Sequence, residues 1–131
     1  MGRIVLVGMG LLWIALGVVG LIAPVMILAS VGLDISTADA HAEARAMYGG
    51  AQIGLGLFFV YCSRAAASQR TGLIALALVA AGFGLARSFG IAVDGARGGI
   101  TFFALTTEVF AVALAWIALS RGSATQQSAH A

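Results

Sequence analysis

Four long apolar stretches, separated by short polar segments, dominate the hydrophobic pattern of this chain. Each is close to the length of about 20 residues that an α-helix needs to cross a bilayer. We therefore predict an all-α membrane protein, with four transmembrane helices in an up-down-up-down bundle. One transmembrane domain, residues 1–121, holds these spans, which cover about residues 4–23, 46–62, 71–93 and 100–120.

The first stretch has one feature of a signal peptide, because Arg3 precedes an apolar run. The uncharged run continues to Leu33, however, and a signal core has only roughly 7–15 residues. We interpret the stretch as a retained helix. Pro24 is expected to kink or end it, since proline lacks the amide hydrogen and clashes with the preceding turn.

Composition supports the membrane assignment. Hydrophobic residues make up 61% of the chain and charged residues 9%, whereas soluble domains carry about 25% charged residues. The basic residues are isolated arginines without a basic run, which argues against a nucleic-acid partner. Cys62 is the single cysteine, so no internal disulfide is expected, and no Cys/His spacing predicts a metal site.

Arginine placement predicts the orientation of the spans. Arg45 and Arg97 fall on one side of a four-span topology, and four arginines fall on the other side: Arg3, Arg64, Arg70 and Arg121. Because basic residues are enriched on the cytoplasmic side, both termini are expected in the cytoplasm. The small polar tail, residues 122–131, is expected to be disordered there.

Small residues predict how the helices pack, because they let backbones approach each other in lipid. Gly10, Gly17 and Gly20 share one side of the first span. Gly50 and Gly54 form a small-xxx-small pair on the second span, on the side opposite its polar residues, where another helix can pack. A homo-oligomer and a partner membrane protein are both left open by this pattern.

Polar residues inside the spans form a constellation at one level of the outer leaflet. Polar and charged groups within a span are costly and tend to face the bundle interior or a water-filled cavity. At ~100° per residue, the polar positions of the second span fall on one stripe. The candidate site residues are Arg45, Tyr48, Gln52, Arg87, Asp94 and Glu108.

The simplest account of this constellation is an ion pair between Arg87 and Glu108. At about 1.5 Å per residue, they lie ~9 Å and ~12 Å below the outer ends of the third and fourth spans. We expect Tyr48 and Gln52 to complete the hydrogen bonds of the pair. Two interpretations stay open: the pair only fixes helix register, or the cluster lines a cavity open to the outer water.

Three motifs carry a family resemblance over nearly the whole chain: "EARAMYGGAQIGLGLFF", "GLIALALVAAGFGLARSFGIAVDG" and "TFFALTTEV". They resemble the small bacterial four-span proteins grouped as domain of unknown function 4345. The resemblance implies a multi-pass protein of the bacterial cytoplasmic (inner) membrane and brings no assigned activity. The architecture alone is also similar to that of DoxX-type proteins, some of which are tied to quinone-linked redox chemistry.

Three functions are compatible with this pattern. The first is a non-catalytic binding or accessory protein, whose outer-leaflet pocket takes a lipid headgroup, a small anion or a partner helix. The second is a membrane enzyme or redox subunit acting on a quinone or lipid, although the spans offer no histidine and no nucleophile–base pair. The third is a small proton-linked transporter acting as an oligomer, although the inner halves of the spans are almost wholly apolar. No catalytic residue and no cofactor is predicted.

Overall fold

A computed structural model describes residues 1–128 of the chain, with side chains through Arg121, and this range is helical apart from short connections. A π-helical turn, Ala46–Gly50, joins the third helix to the fourth. In chain order the helices are α1 (Gly2–Ile22), α2 (Pro24–Ala29), α3 (Ala38–Arg45), α4 (Ala51–Cys62), α5 (Ala66–Asp94) and α6 (Gly99–Ser128).

Within the described residues, three helices are long and apolar enough to cross a membrane: α1, α5 and the part of α6 from Gly99 to Arg121. The chain is therefore a multi-pass membrane protein. The predicted second span corresponds to the π turn and α4, and α4 alone is shorter than the ~20 residues that a span needs. The backbone nevertheless stays in the right-handed helical region from Arg45 to Ala51, so that α3, the π turn and α4 form one continuous rod.

Local sequence explains where the long helices end. Ala23 leaves the helical conformation, and Pro24 begins α2, because its missing amide and fixed φ suit a first helical turn. The predicted end of the first helix at Pro24 is thus observed. Gly95 ends α5 with a left-handed φ of 67°, a conformation that glycine adopts without steric cost.

The backbone of α6 remains helical to Ser128, where the sequence predicts a disordered tail from residue 122. The segment contains no proline that would interrupt the helical hydrogen bonds. Residues 129–131 of the predicted tail lie outside the described part of the chain.

Helix α1 packs antiparallel against the π turn and α4 through glycines. A Cβ atom on Gly10 would lie 2.8 Å from the carbonyl oxygen of Gly56, and one on Gly17 would lie 2.9 Å from that of Gly49. Gly54, by contrast, meets nothing within 4 Å. Helix α1 therefore packs on the side of Gly49 and Gly56, and the packing of another helix on the Gly50–Gly54 side stays a prediction.

The apolar core lies at one end of the molecule, which we call the packed end. Leu6, Phe59, Leu76 and Ala115 are fully buried there, one from each of α1, α4, α5 and α6. At the opposite end, which we call the open end, neither α5 beyond Ala80 nor α6 before residue 111 contains a buried residue. The α1–α4 pair and the α5–α6 pair therefore meet closely at the packed end and part towards the open end.

Candidate functional site

An ion pair joins α5 to α6 at the open end. The Nη2 atom of Arg87 lies 2.8 Å from Oε1 of Glu108, and its Nε atom lies 3.1 Å from Oε1 and 3.2 Å from Oε2. Two guanidinium nitrogens thus donate to one carboxylate, which is a strong, charge-assisted arrangement. The ion pair predicted from the sequence is confirmed.

The pair lies at the wall of a cavity and is not sealed inside the protein. The side chain of Arg87 is 30% exposed and that of Glu108 is 13% exposed. Both residues line a half-open cavity of about 250 Å³ between the two helix pairs. We call this cavity the cleft. Its polar lining consists of Tyr48, Gln52, Arg87, Thr107 and Glu108.

Tyr48 and Gln52 line the cleft without bonding to the ion pair. Among the described residues, neither side chain makes a hydrogen bond, so the prediction that they complete the hydrogen bonds of the pair is wrong. The reason is the divergence of the helix pairs, which leaves space between the two sides. Every fully buried polar side-chain atom in this range has a hydrogen-bond partner. Because the Gln52 amide has no partner in this range, it is not fully buried and is accessible from the cleft.

The π turn fixes the position of Tyr48. The Tyr48 carbonyl approaches Gly20 of α1 so closely that a Cβ on Gly20 would overlap it. The backbone of Tyr48 is therefore pressed against α1, while its side chain is 36% exposed and reaches the cleft. π-Helical turns inside α-helices occur frequently at functional sites.

Arg45 does not join the cleft, although the sequence places it on the same stripe as Gln52. Its Nε atom donates to the carbonyl oxygen of Leu21 at 3.1 Å. That carbonyl belongs to the last turn of α1, whose acceptors lack helical partners and whose dipole favours a cation. The π turn separates Arg45 from Gln52 and changes the rotation between them, which an ideal helical projection ignores.

Asp94 also lies apart from the cleft. It is the last residue of α5, is exposed, and is not among the residues that line the cavity. The structure thus brings four of the six candidate residues together and leaves Arg45 and Asp94 outside.

Aromatic side chains line the apolar part of the cleft, and the sequence did not predict the contribution of Trp13. The ring of Trp13 lies 6.0 Å from that of Phe59 in an edge-to-face arrangement and 5.9 Å from that of Phe83. Trp13 and Phe83 both line the cavity. Phe83 lies one helical turn before Arg87, a spacing that signals a shared face, whereas nothing in the sequence distinguishes Trp13 from a lipid-facing residue.

Sequence reasoning also missed Thr107, which lines the cleft. Its hydroxyl donates to the carbonyl oxygen of Ala104 at 2.7 Å, so that only the lone pairs of its oxygen are left to accept a hydrogen bond in the cleft. Within the described range, no three His, Cys, Asp or Glu side chains come together as a metal site.

The fold and the cleft define a small helical membrane protein with a polar site between two helix pairs. Residues 1–119 match the family model described as "Domain of unknown function (DUF4345)", and the chain belongs to this family. The family resemblance carried by the sequence motifs is confirmed. No curated protein and no solved structure matches the chain significantly.

Proposed function

We propose that this protein is a four-span protein of the bacterial inner membrane that binds the polar end of an amphiphile in the cleft. It acts as a binding or accessory protein without catalysis of its own. One observation carries the proposal. The Tyr48 hydroxyl and the Gln52 amide have no hydrogen-bond partner among the described residues and share a cavity with the Arg87–Glu108 pair, so polar groups are available there to a ligand.

The fourth span in this proposal is the continuous rod of α3, the π turn and α4. At about 1.5 Å per residue, a helix from Ala38 to Cys62 is roughly 37 Å long, and the hydrocarbon core is about 30 Å thick. The apolar part of the rod packs antiparallel along α1, so a bilayer crossed by α1 also encloses it. The polar residues of α3 then lie at the outer interface.

The orientation follows from charge. Four of the seven arginines lie at the packed end or in its connections: Arg3, Arg64, Arg70 and Arg121. The positive-inside rule puts this end in the cytoplasm together with both termini. The cleft at the open end then belongs to the outer leaflet, as the sequence also predicts.

The dimensions of the cleft favour the end of an amphiphile over a whole ligand. Its volume of about 250 Å³ lies just below the ~300–1,000 Å³ of pockets that enclose a drug-sized ligand. The cleft is half-open, and the lining residues Leu12 and Leu16 are about half exposed. A polar group can therefore enter while the apolar part of the same molecule stays in the bilayer.

The charges of the cleft favour a net-neutral polar group. Arg87 and Glu108 are the charged residues of the lining and neutralise each other. Nη1 of Arg87 makes no hydrogen bond within the described residues and supplies donors, and Tyr48 and Gln52 offer donors and acceptors. A zwitterionic or uncharged headgroup suits this set better than a free anion, which would meet the Glu108 carboxylate.

The aromatic lining supports one alternative, a quinone ligand with a role in a membrane enzyme or redox subunit. Trp13 and Phe83 present rings 5.9 Å apart beside the polar wall, and aromatic rings pack well in offset or tilted arrangements. Proton-linked transport is less well supported. The apolar core at the packed end, with Leu6, Phe59 and Leu76 fully buried, offers no polar continuation of the cleft.

Native mass spectrometry of the full-length protein in mild detergent tests the proposal. The protein is titrated separately with dioctanoyl phosphatidylethanolamine, a short-chain ubiquinone and inorganic phosphate. We expect saturable binding of the phospholipid. Tyr48→Phe combined with Gln52→Leu should weaken it about tenfold, because two hydrogen bonds of about 0.5–1.5 kcal/mol are lost.

Tyr61→Phe is the matched control, because Tyr61 is exposed on α4 and does not line the cleft. It should bind the phospholipid like the parent. Tighter binding of the quinone, with the same sensitivity to the double variant, favours the redox alternative. Equal binding by the parent and the double variant contradicts a role for the cleft.

A further inference from the structure

A second groove lies at the packed end, between α5 and α6 and away from the cleft. It encloses about 410 Å³ and is lined by Arg70, Ile74, Trp116, Leu119 and Ser120. We infer that this groove binds an anionic phospholipid, with the phosphate against Arg70 and an acyl chain along Ile74 and Trp116. The inference is independent of the cleft and of any ligand bound there.

The arrangement of the lining residues matches the order of groups in a phospholipid. Arg70 and Ile74 lie one helical turn apart on α5, and Ser120 and Trp116 lie one turn apart on the antiparallel α6. Residues four apart share one helix face. The polar members, Arg70 and Ser120, therefore lie at one level of the groove, and the apolar members lie about 5–6 Å deeper in the membrane.

Trp116 gives the groove an exposed aromatic wall. Its side chain is 71% exposed, and tryptophan is enriched at membrane interfaces, where its ring contacts the glycerol region and the upper acyl chain. Together with Ile74 and Leu119, it forms an apolar surface directly beneath a guanidinium group.

Charge complementarity selects an anionic lipid over a zwitterionic one. All five acidic residues of the chain lie outside this end: Asp34, Asp39, Glu43, Asp94 and Glu108. The guanidinium of Arg70 makes no hydrogen bond or ion pair within the described residues. It is therefore available for bidentate hydrogen bonding to a phosphate. Basic pockets between membrane helices on the cytoplasmic side are known to bind anionic headgroups.

The hydroxyl of Ser120 does not contribute a donor. It donates to the carbonyl oxygen of Ile117 at 3.0 Å, which uses its only hydrogen. Among the lining side chains, the phosphate contact therefore depends on Arg70, so that a single substitution should remove the preference for an anionic lipid.

The test compares dioctanoyl phosphatidylglycerol with dioctanoyl phosphatidylethanolamine, bound to the full-length protein in detergent and counted by native mass spectrometry. The parent should bind phosphatidylglycerol about tenfold more tightly. Arg70→Gln should abolish this preference, since a charge-assisted contact is lost. Arg64→Gln removes the same charge from the same end but lies outside the groove, so it should keep most of the preference.

Trp116→Leu provides a second variant that leaves every charge in place. It should weaken the binding of both lipids while keeping the preference for phosphatidylglycerol. An equal loss in Arg64→Gln and Arg70→Gln would overturn the inference, because it would show diffuse attraction to the whole basic end. Equal affinity of the parent for both lipids, or a dimer that covers Trp116 and excludes phosphatidylglycerol, would also overturn it.

Discussion

Arg87 and Glu108 face each other across the antiparallel helices α5 and α6, with Nη2 and Oε1 2.8 Å apart. The pair lies at the open end, where the α1–α4 pair and the α5–α6 pair part. Its hydrogen bonds connect α5 to α6, and both of its side chains also line the cleft. One contact thus holds two helices together and supplies the charged wall of the candidate site.

Breaking this pair should destabilise the protein. Glu108→Gln leaves the Arg87 guanidinium without its charged partner, so the free energy of unfolding should fall by about 1–3 kcal/mol. Unfolding in mixed micelles of mild detergent and dodecyl sulfate measures the change. Removing both charges, with Arg87→Gln added, should cost less than the sum of the two single losses.

Glu43→Gln is the matched control, because Glu43 is exposed and its side chain makes no hydrogen bond or ion pair within the described residues. It should unfold like the parent. Exchanging the two residues, with Arg87→Glu and Glu108→Arg combined, should recover part of the loss. If Glu108→Gln unfolds like the parent, the ion pair does not contribute to stability.

Glycine packing between α1 and α4 gives a second prediction. An alanine Cβ at Gly56 would lie 2.6 Å from the carbonyl oxygen of Gly10 and 2.9 Å from the amide nitrogen of Ile14. Backbone atoms cannot yield without moving the helix, so Gly56→Ala should cost about 1–3 kcal/mol, as other overpacked sites do. The same unfolding measurement reports the loss.

Gly54 lies half a helical turn away on α4 and meets nothing within 4 Å. Gly54→Ala should therefore be neutral or stabilising by up to about 1 kcal/mol, because alanine is the better helix former. Equal losses in the two variants would mean that the close approach of α1 to α4 is not as described.

Much of the fold could be predicted from the sequence, because membrane helices depend on local composition. The long apolar runs identify α1, α5 and α6, and Pro24 marks the end of α1. The packing side of α4 could not be predicted, because many of its residues are small. Which glycines meet α1 depends on the rotation of the helix, and the π turn Ala46–Gly50 alters that rotation.

The same π turn limits what the sequence reveals of the site. Arg87 and Glu108 lie on two helices, α5 and α6, that a short loop connects. Their similar depth and opposite charge therefore suffice to predict the pair. Arg45 lies before the π turn, and regular spacing therefore misplaces it. Trp13 reaches the cleft only through the tertiary arrangement, which no local pattern encodes.

The proposed topology predicts which loops face the outside. In a Cys62→Ala background, a cysteine at Ser36 should react with a membrane-impermeant thiol reagent added to intact cells. A cysteine at Ala67 should react only after the membrane is opened, because the rod of α3, the π turn and α4 separates the two positions. Both native residues are exposed, so access by the reagent depends on the side of the membrane.

Labelling of both positions in intact cells would place residues 36 and 67 on the same side and contradict a span between them. The three long helices would then be the only crossings among residues 1–128.

The cleft should admit water from the outside. In the same Cys62→Ala background, a cysteine at Gln52 should react with the impermeant reagent in intact cells, because the Gln52 side chain lines the half-open cavity. A cysteine at Ala118, which is 4% exposed and lies at the packed end, should stay unlabelled. Protection at position 52 would favour a dry, purely structural role for the polar cluster.

The most direct test of ligand binding is a crystal structure of the full-length protein grown in a lipid phase containing phosphatidylethanolamine. We expect headgroup density between Gln52 and Arg87, with a ligand atom at hydrogen-bond distance, about 2.7–3.2 Å, from at least one of them. Helix pairs closed against each other, with Tyr48 and Gln52 bonded to the Arg87–Glu108 pair and no ligand density, would contradict ligand binding in the cleft.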